Sequence, residues 1–222
     1  MINEAAYLDL IGELKSKNIQ LVAVSKTKSV EEIKQLYDLG QRDFGENYVQ
    51  ELVEKQKQLP ADIRWHFIGH LQRNKVKQIA PFVTLIQSVD SLKLLREINK
   101  QGEKNKGVIN CLLQIYIAQE ETKFGFDEQE LIAVISELKI SPLKNVNVVG
   151  LMGMASLTDD MEKVRSEFRK LKKVFSENAQ YAMFNVQFTI LSMGMTSDYK
   201  IAIEEGSNMV RIGSLIFGER TQ

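Results

Sequence analysis

Leu21 to Glu46 reads LVAVSKTKSVEEIKQLYDLGQRDFGE, and the pattern of this stretch decides the fold. LVAV is a short apolar run, as expected of a strand buried on both faces. VEEIKQLYDL carries apolar residues three and four apart on a charged background, as an amphipathic helix does. Gly40 stands where that helix ends, and a second short β-type run follows at 42–45. A strand, a helix and a strand in succession call for a parallel sheet with the helix packed on it.

The alternation recurs to the end of the chain. After an opening helix at about 2–18, β-type runs fall near 20–25, 42–45, 64–69, 83–88, 108–118, 146–154, 187–193 and 208–213. Helical patterns lie between them, with Asp159 or Asp160, Ser91 and Ser197 where N-caps belong, and Gly40 and Gly206 where helices end. Eight strands in about 200 residues is the arithmetic of a small (β/α)8 TIM barrel, here an α/β barrel with one additional N-terminal helix. A doubly wound open sheet is the alternative, but no GxGxxG fingerprint follows the first strand. With only three prolines and no Gly/Ser linker or low-complexity tract, residues 1–222 are expected to form one domain.

Composition excludes several classes. Lysine plus arginine and aspartate plus glutamate number 29 each, so no net field draws the chain to nucleic acid or an anionic membrane. The acidic start MINEAAYLDLIGELK is unlike a signal peptide, and no apolar run approaches the roughly 20 residues of a membrane span. The single cysteine, Cys111, lies in an apolar run and excludes an intrachain disulfide, which suits a reducing, cytoplasmic setting. The lysine-rich helix from Lys163 to Lys173 reads as a solvated face.

In a barrel of this kind the site sits at the C-terminal ends of the strands, with phosphate in the loops after strands seven and eight. Lys26 closes strand one. A lysine in a partly desolvated setting is favoured in its neutral form, and a neutral lysine makes Schiff bases with carbonyls. The plain alternative is an exposed loop lysine. Strand seven runs into LSMGMTSD at 191–198 and strand eight into VRIGS at 210–214. Gly194 allows a close backbone turn, Thr196 to Ser197 opens the helix that follows, and Gly213 and Ser214 supply further backbone donors. Each turn alone is only a turn; two of them facing a strand-end lysine suit a phosphate and a carbonyl together. Arg211 shares a face with Gly213, roughly 6–7 Å away, and a poorly solvated arginine there calls for a partner. That partner is either a buried carboxylate such as Glu46 or a bound ring nitrogen or phosphate. Phosphate, aldehyde and ring nitrogen together describe pyridoxal 5′-phosphate.

SKTK at 25–28, DFGENYVQE at 43–51, WHFIGHLQRNK at 65–75, SMGMTSDYKIAIEEGS at 192–207 and VRIGSLIFGER at 210–220 resemble, nearly end to end and in order, the YggS/PROSC family of pyridoxal-phosphate homeostasis proteins. The resemblance implies a barrel like the N-terminal domain of bacterial alanine racemase and a cofactor aldimine on Lys26. It implies phosphate contacts from Ser192, Met193, Gly194, Thr196 and Ser197 and from Gly213 and Ser214, with Arg211 at the pyridine nitrogen. Asn47 and His70 fall in family motifs near the mouth. Thr196, Asn208 and Arg73 stand where serine, threonine and a small polar residue are usual. A racemase also needs a second acid/base group, a tyrosine supplied by a C-terminal domain of the partner subunit. The chain ends nine residues after Gly213, so the expected role is cofactor binding and homeostasis as a monomer, with apo forms of cofactor-dependent enzymes as the class of recipients. A weakly active racemase-like enzyme is the alternative, and a Schiff-base aldolase acting on a sugar phosphate is a third class.

Overall fold

A computed structural model describes residues 2–118, 124–179 and 186–218. Helix α1 (Glu4–Ser16) precedes eight parallel strands that close on themselves in sequence order. They are β1 (Gln20–Val24), β2 (Asp43–Glu46), β3 (Arg64–Phe67), β4 (Leu85–Val89), β5 (Ile109–Gln114), β6 (Val146–Met152), β7 (Val186–Ser192) and β8 (Met209–Ile212). The crossovers carry α2 (Val30–Asp38), α3 (Val49–Gln58), a 3-10 turn at Arg73–Lys75 running into α4 (Val76–Ile79), α5 (Leu92–Lys104), α6 (Glu128–Ile140), α7 (Met161–Ala179) and α8 (Tyr199–Glu204), and α9 (Ser214–Phe217) follows β8. The fold is the expected (β/α)8 barrel with an N-terminal helix. Among the described residues no helix is long and apolar enough to cross a membrane.

Strand alternation divides the core in two. Leu21 and Ala23 of β1 join the large apolar shell between sheet and helices, whereas Val22 packs inside the barrel with Leu85, Leu112, Met152 and Met209. The expected fifth strand is cut short at Gln114. Beyond it Tyr116 N donates to the Phe126 carbonyl and Phe126 N to the Gln114 carbonyl, so the chain pairs with its own loop. Closure is thinnest between β7 and β8, where Ser192 opposite Met209 is the one registered pair. Asn208 reinforces this seam with its side chain: Oδ1 accepts from Leu191 N (2.8 Å) and Nδ2 donates to the Thr189 carbonyl (2.7 Å).

Helix ends follow local chemistry. Asp160 accepts from Glu162 N and Lys163 N at the start of α7, and Ser91 accepts from Leu94 N at the start of α5. Gly40 and Gly206 end α2 and α8 with φ of 101° and 94°. Ser197 is not a cap. Asp198 occupies the N-cap position of α8, and its carboxylate accepts instead from Met195 N (2.5 Å), folding the preceding loop back on itself. The basic face of α7 is solvated and partly paired, Arg165 and Arg169 with Glu205 and Lys170 with Glu128.

Candidate functional site

At the C-terminal rim of the barrel, the ends of β1, β7 and β8 enclose a cavity of about 480 Å³. Lys26 lies on one side, two residues past β1 on the inward face that Val22 and Val24 share. Thr196 and Ser197 come from the loop after β7, and Gly213 and Ser214 from the turn after β8. Arg211 contributes to the lining from within the barrel. Met195 and Leu157 complete an apolar flank. Among the described residues, the charged groups lining this cavity are Lys26, Lys28 and Arg211, all cationic. Both α8 and α9 begin at its edge, so first-turn N–H groups, which have no partner within a helix, lie close by. Gly213 sits hard against β1: a Cβ there would stand 3.1 Å from the Val24 carbonyl oxygen. Such a set of donors suits an anion of phosphate size next to a carbonyl that Lys26 can reach.

The other expected residues fall elsewhere. Gly194, with φ of 98°, forms the turn that delivers Met195 to Ser197, and its carbonyl accepts from Arg211 N (3.0 Å). Met193 is fully buried. Asn47 follows β2 at the rim, and its Oδ1 is buried without a hydrogen-bond partner among the described residues. His70 lines a separate opening with Arg73, Asp90 and Lys93, its Nδ1 3.0 Å from Asp90 Oδ2. Ser192 lies beneath the cavity rather than on it, bonded to Arg211. Glu46 is no partner of Arg211; it faces outward and pairs with Lys55 (2.8 Å).

What holds Arg211 is a polar chain through the barrel interior. Arg211 is 4% exposed as a residue, and its guanidinium donates to Ser192 Oγ (2.6 Å) and to the Gly153 carbonyl (3.0 Å). Ser192 donates in turn to Gln87 Oε1 (2.7 Å), and Gln87 Nε2 lies 3.1 Å from His66 Nδ1. His66 Nε2 lies 3.0 Å from Asp43, which also accepts from Arg64 Nε (2.8 Å). An ionised Asp43 can only accept, so His66 Nε2 carries a proton toward it, and the Gln87 amide faces Nδ1. Each group thus donates toward Asp43, and the arrangement is consistent end to end. Burial pulls the Arg211 pKa down to about 10, offset in part by Asp198, so at neutral pH it remains a cation aimed at the cavity. Sequence reasoning did not find His66 or Gln87. Their signal is weak but present: both are polar residues at inward strand positions within the apolar runs RWHFI and LIQSV.

The comparisons with known proteins fit this geometry. Residues 7–221 match the model for the alanine racemase N-terminal domain. The chain belongs to that family. Among its members, a protein of Pasteurella multocida named pyridoxal phosphate homeostasis protein is 42% identical over 207 residues, covering 91% of this chain and 87% of that one. The human protein of the same name is 38% identical over 211 residues, 90% of this chain and 76% of its own. Among solved structures, PipY of Synechococcus elongatus with PLP bound has a TM-score of 0.82 at 33% identity, covering 95% of this chain and 99% of that one. An alanine racemase of Clostridium difficile, 17% identical with a TM-score of 0.73, shares the fold; this chain spans 58% of its length.

The polar chain has a measurable consequence at its far end. Burial pushes the Asp43 carboxyl up, but hydrogen bonds from Arg64 and His66 outweigh it and hold the pKa at about 2, below the ordinary 3.8. A lowered acid pKa contributes stability above the unfolded value that is lost as pH falls through the folded one. The contribution is about 2 kcal/mol. Urea unfolding of wild type and Asp43→Asn should differ by about this amount at pH 6, and the gap should shrink steadily below about pH 4.

Proposed function

We propose that this protein binds pyridoxal 5′-phosphate in the cavity at the barrel mouth and serves in the cofactor's homeostasis. The observation that carries this reading is the lining itself: three basic side chains, one of them the amine of Lys26, two hydroxyl-bearing loops and two helix starts surround one small cavity. Two relatives support it, PipY with PLP bound and the proteins named pyridoxal phosphate homeostasis protein.

When bound, the cofactor supplies an aldehyde that a primary amine can take up and, on a stronger acid–base scaffold, an electron sink. Lys26 is the amine that takes the aldehyde covalently. Thr196, Ser197, Gly213 and Ser214 receive the phosphate, the missing side chain of Gly213 letting its turn lie close against Val24 of β1. Ser192, Met193 and Gly194 shape that seat from below. Arg211 keeps unused N–H donors after those to Ser192 and Gly153, and one of them meets the ring nitrogen. Asn47, with its unpartnered Oδ1 at the rim, offers an acceptor for a ring hydroxyl, and His70 guards the neighbouring opening.

Binding without efficient turnover follows from what the cavity offers. Moving a proton between two faces of a substrate needs two positioned groups, each commonly worth a factor of about 10² to 10⁴. Among the described residues lining the cavity, Lys26 is one such group, the Lys28 amine is engaged by the Phe217 carbonyl (3.0 Å), and no tyrosine, histidine, cysteine or carboxylate is present. Tyr199, the nearby candidate on α8, is buried with its hydroxyl directed to Glu13 (3.4 Å). The protein's work is then holding and releasing cofactor, and apo forms of enzymes that use it are the recipients.

Two measurements check the reading. After loading with pyridoxal phosphate and reduction with borohydride, peptide mapping should find the pyridoxyl group on the peptide containing Lys26; a label on another lysine contradicts it. Pyridoxal without its phosphate should bind far more weakly than the ester. Equal affinities would mean the turns after β7 and β8 hold no phosphate.

A further inference from the structure

The turn that presents Lys26 is held from behind by a charged cluster that does not line the cavity. Lys28 N donates to the Ser25 carbonyl (3.0 Å), closing a four-residue turn around Lys26 and Thr27. Thr27 adopts φ of 66°. For a β-branched residue this left-handed conformation is strained, and it persists only where the surroundings over-determine it. Those surroundings come from α3 and the end of β2. Lys55, buried on α3, donates to the Ser25 carbonyl (2.7 Å), to Glu46 Oε1 (2.8 Å) and to Glu51 Oε1 (2.6 Å). The same Glu46 oxygen accepts from the Ser25 hydroxyl (2.6 Å), and the same Glu51 oxygen accepts from Thr27 N (2.6 Å). The residue before Lys26 is therefore fixed at its hydroxyl and its carbonyl, and the residue after it at its amide.

All three ammonium donors of Lys55 are used, so the cluster has one arrangement. Its cost is plain. Glu46 is fully buried with Oε2 lacking a hydrogen-bond partner among the described residues, and burial pushes its carboxyl up against the pull of Lys55. Buried ion pairs of this kind commonly return little net stability. An arrangement that stabilises little yet fixes both neighbours of one lysine points to geometry as its use.

We infer that Lys55, with Glu46 and Glu51, forms a positioning cluster that aims the Lys26 amine at the aldehyde carbon of a ligand whose phosphate is seated across the mouth. The inference rests on the assignment of Lys26 made above. In the step it serves, the amine lone pair bonds to the aldehyde carbon and the carbonyl oxygen leaves as water with the two amine protons. The cluster contributes to that covalent step and not to the phosphate seat, because none of its three side chains lines the cavity.

The test compares pyridoxal 5′-phosphate with pyridoxine 5′-phosphate, which keeps ring and phosphate but has an alcohol in place of the aldehyde. In Glu51→Ala and Lys55→Met, affinity for the aldehyde should fall by about 10-fold or more, as when a positioned nucleophile loses its fixed geometry. Affinity for the alcohol should stay at the wild-type value. Glu51→Gln keeps an oxygen for Thr27 N and should retain most of the aldehyde affinity. Parallel losses for both ligands would reduce the cluster to a folding element, and unchanged affinities in Glu51→Ala would overturn it outright. Glu51 is partly exposed, its side chain at 23%, so that variant carries the test if Lys55→Met fails to fold. Lys26→Ala serves as the control: it should erase the preference for aldehyde over alcohol, and a preference that survives it overturns the lysine assignment itself.

Discussion

A guanidinium that stays charged at neutral pH is buried in the interior of this barrel, and much of the site's design follows from accommodating it. An unpaired ion in such surroundings is prohibitively costly, yet no carboxylate forms an ion pair with Arg211 among the described residues. The interior solves this with neutral acceptors, Ser192 and the Gly153 carbonyl, backed by Gln87, His66 and finally Asp43. Asp43 at the far end is itself paired with Arg64, and the nearby charge that offsets part of the burial of Arg211 is Asp198. The guanidinium is left oriented but not neutralised. Its remaining donors face the one cavity in which Lys26 and both phosphate-type turns also meet.

Closure of the sheet is the second condition. Because all eight strands are parallel and in sequence order, the end of β1 meets the ends of β7 and β8 at one rim although β1 lies far from them in the chain. The seam between β7 and β8 is where this closure is weakest, with one registered pair. Asn208 and Ser207 carry it, the latter donating to the Met193 carbonyl (2.8 Å). That seam lies directly below the turn at Gly194, so the same side chains that close the barrel also fix the loop bearing Thr196 and Ser197. Asn208, which stands where the family usually has threonine, ties the start of β8 to β7 by bonding Leu191 N and the Thr189 carbonyl with its two amide atoms.

Much of this was legible in the sequence, and what was not has identifiable causes. Alternating strand and helix patterns located the barrel, and strand-end position alone put Lys26, Gly213 and Ser214 at the mouth. The shared face of Arg211 and Gly213 followed from the strand period. Partners did not follow. Period two says which side of a strand a residue takes but not what stands opposite across the barrel, so Glu46 was a reasonable partner for Arg211 and is in fact on the outer face with Lys55. Ser192 reads as part of a phosphate loop and instead supports Arg211 from below. Ser197 resembles an N-cap, but the chain turns one residue later at Asp198, whose carboxylate is engaged by Met195 N. His70 shares a motif with the mouth and points to a separate opening. His66, Gln87 and the Lys55 cluster depend on contacts between β2, β3, β4 and α3 that no local pattern encodes.

In the proposed function, Arg211 donates a hydrogen bond to the ring nitrogen of bound pyridoxal phosphate. A cation whose own pKa remains near 10 can donate to that nitrogen but does not give up its proton at neutral pH. The ¹⁵N chemical shift of ring-labelled cofactor bound to the protein reports this directly. At neutral pH the shift should be that of an unprotonated, hydrogen-bonded pyridine nitrogen. The shift of a protonated pyridinium would contradict it, because it would put an acid rather than Arg211 at the ring.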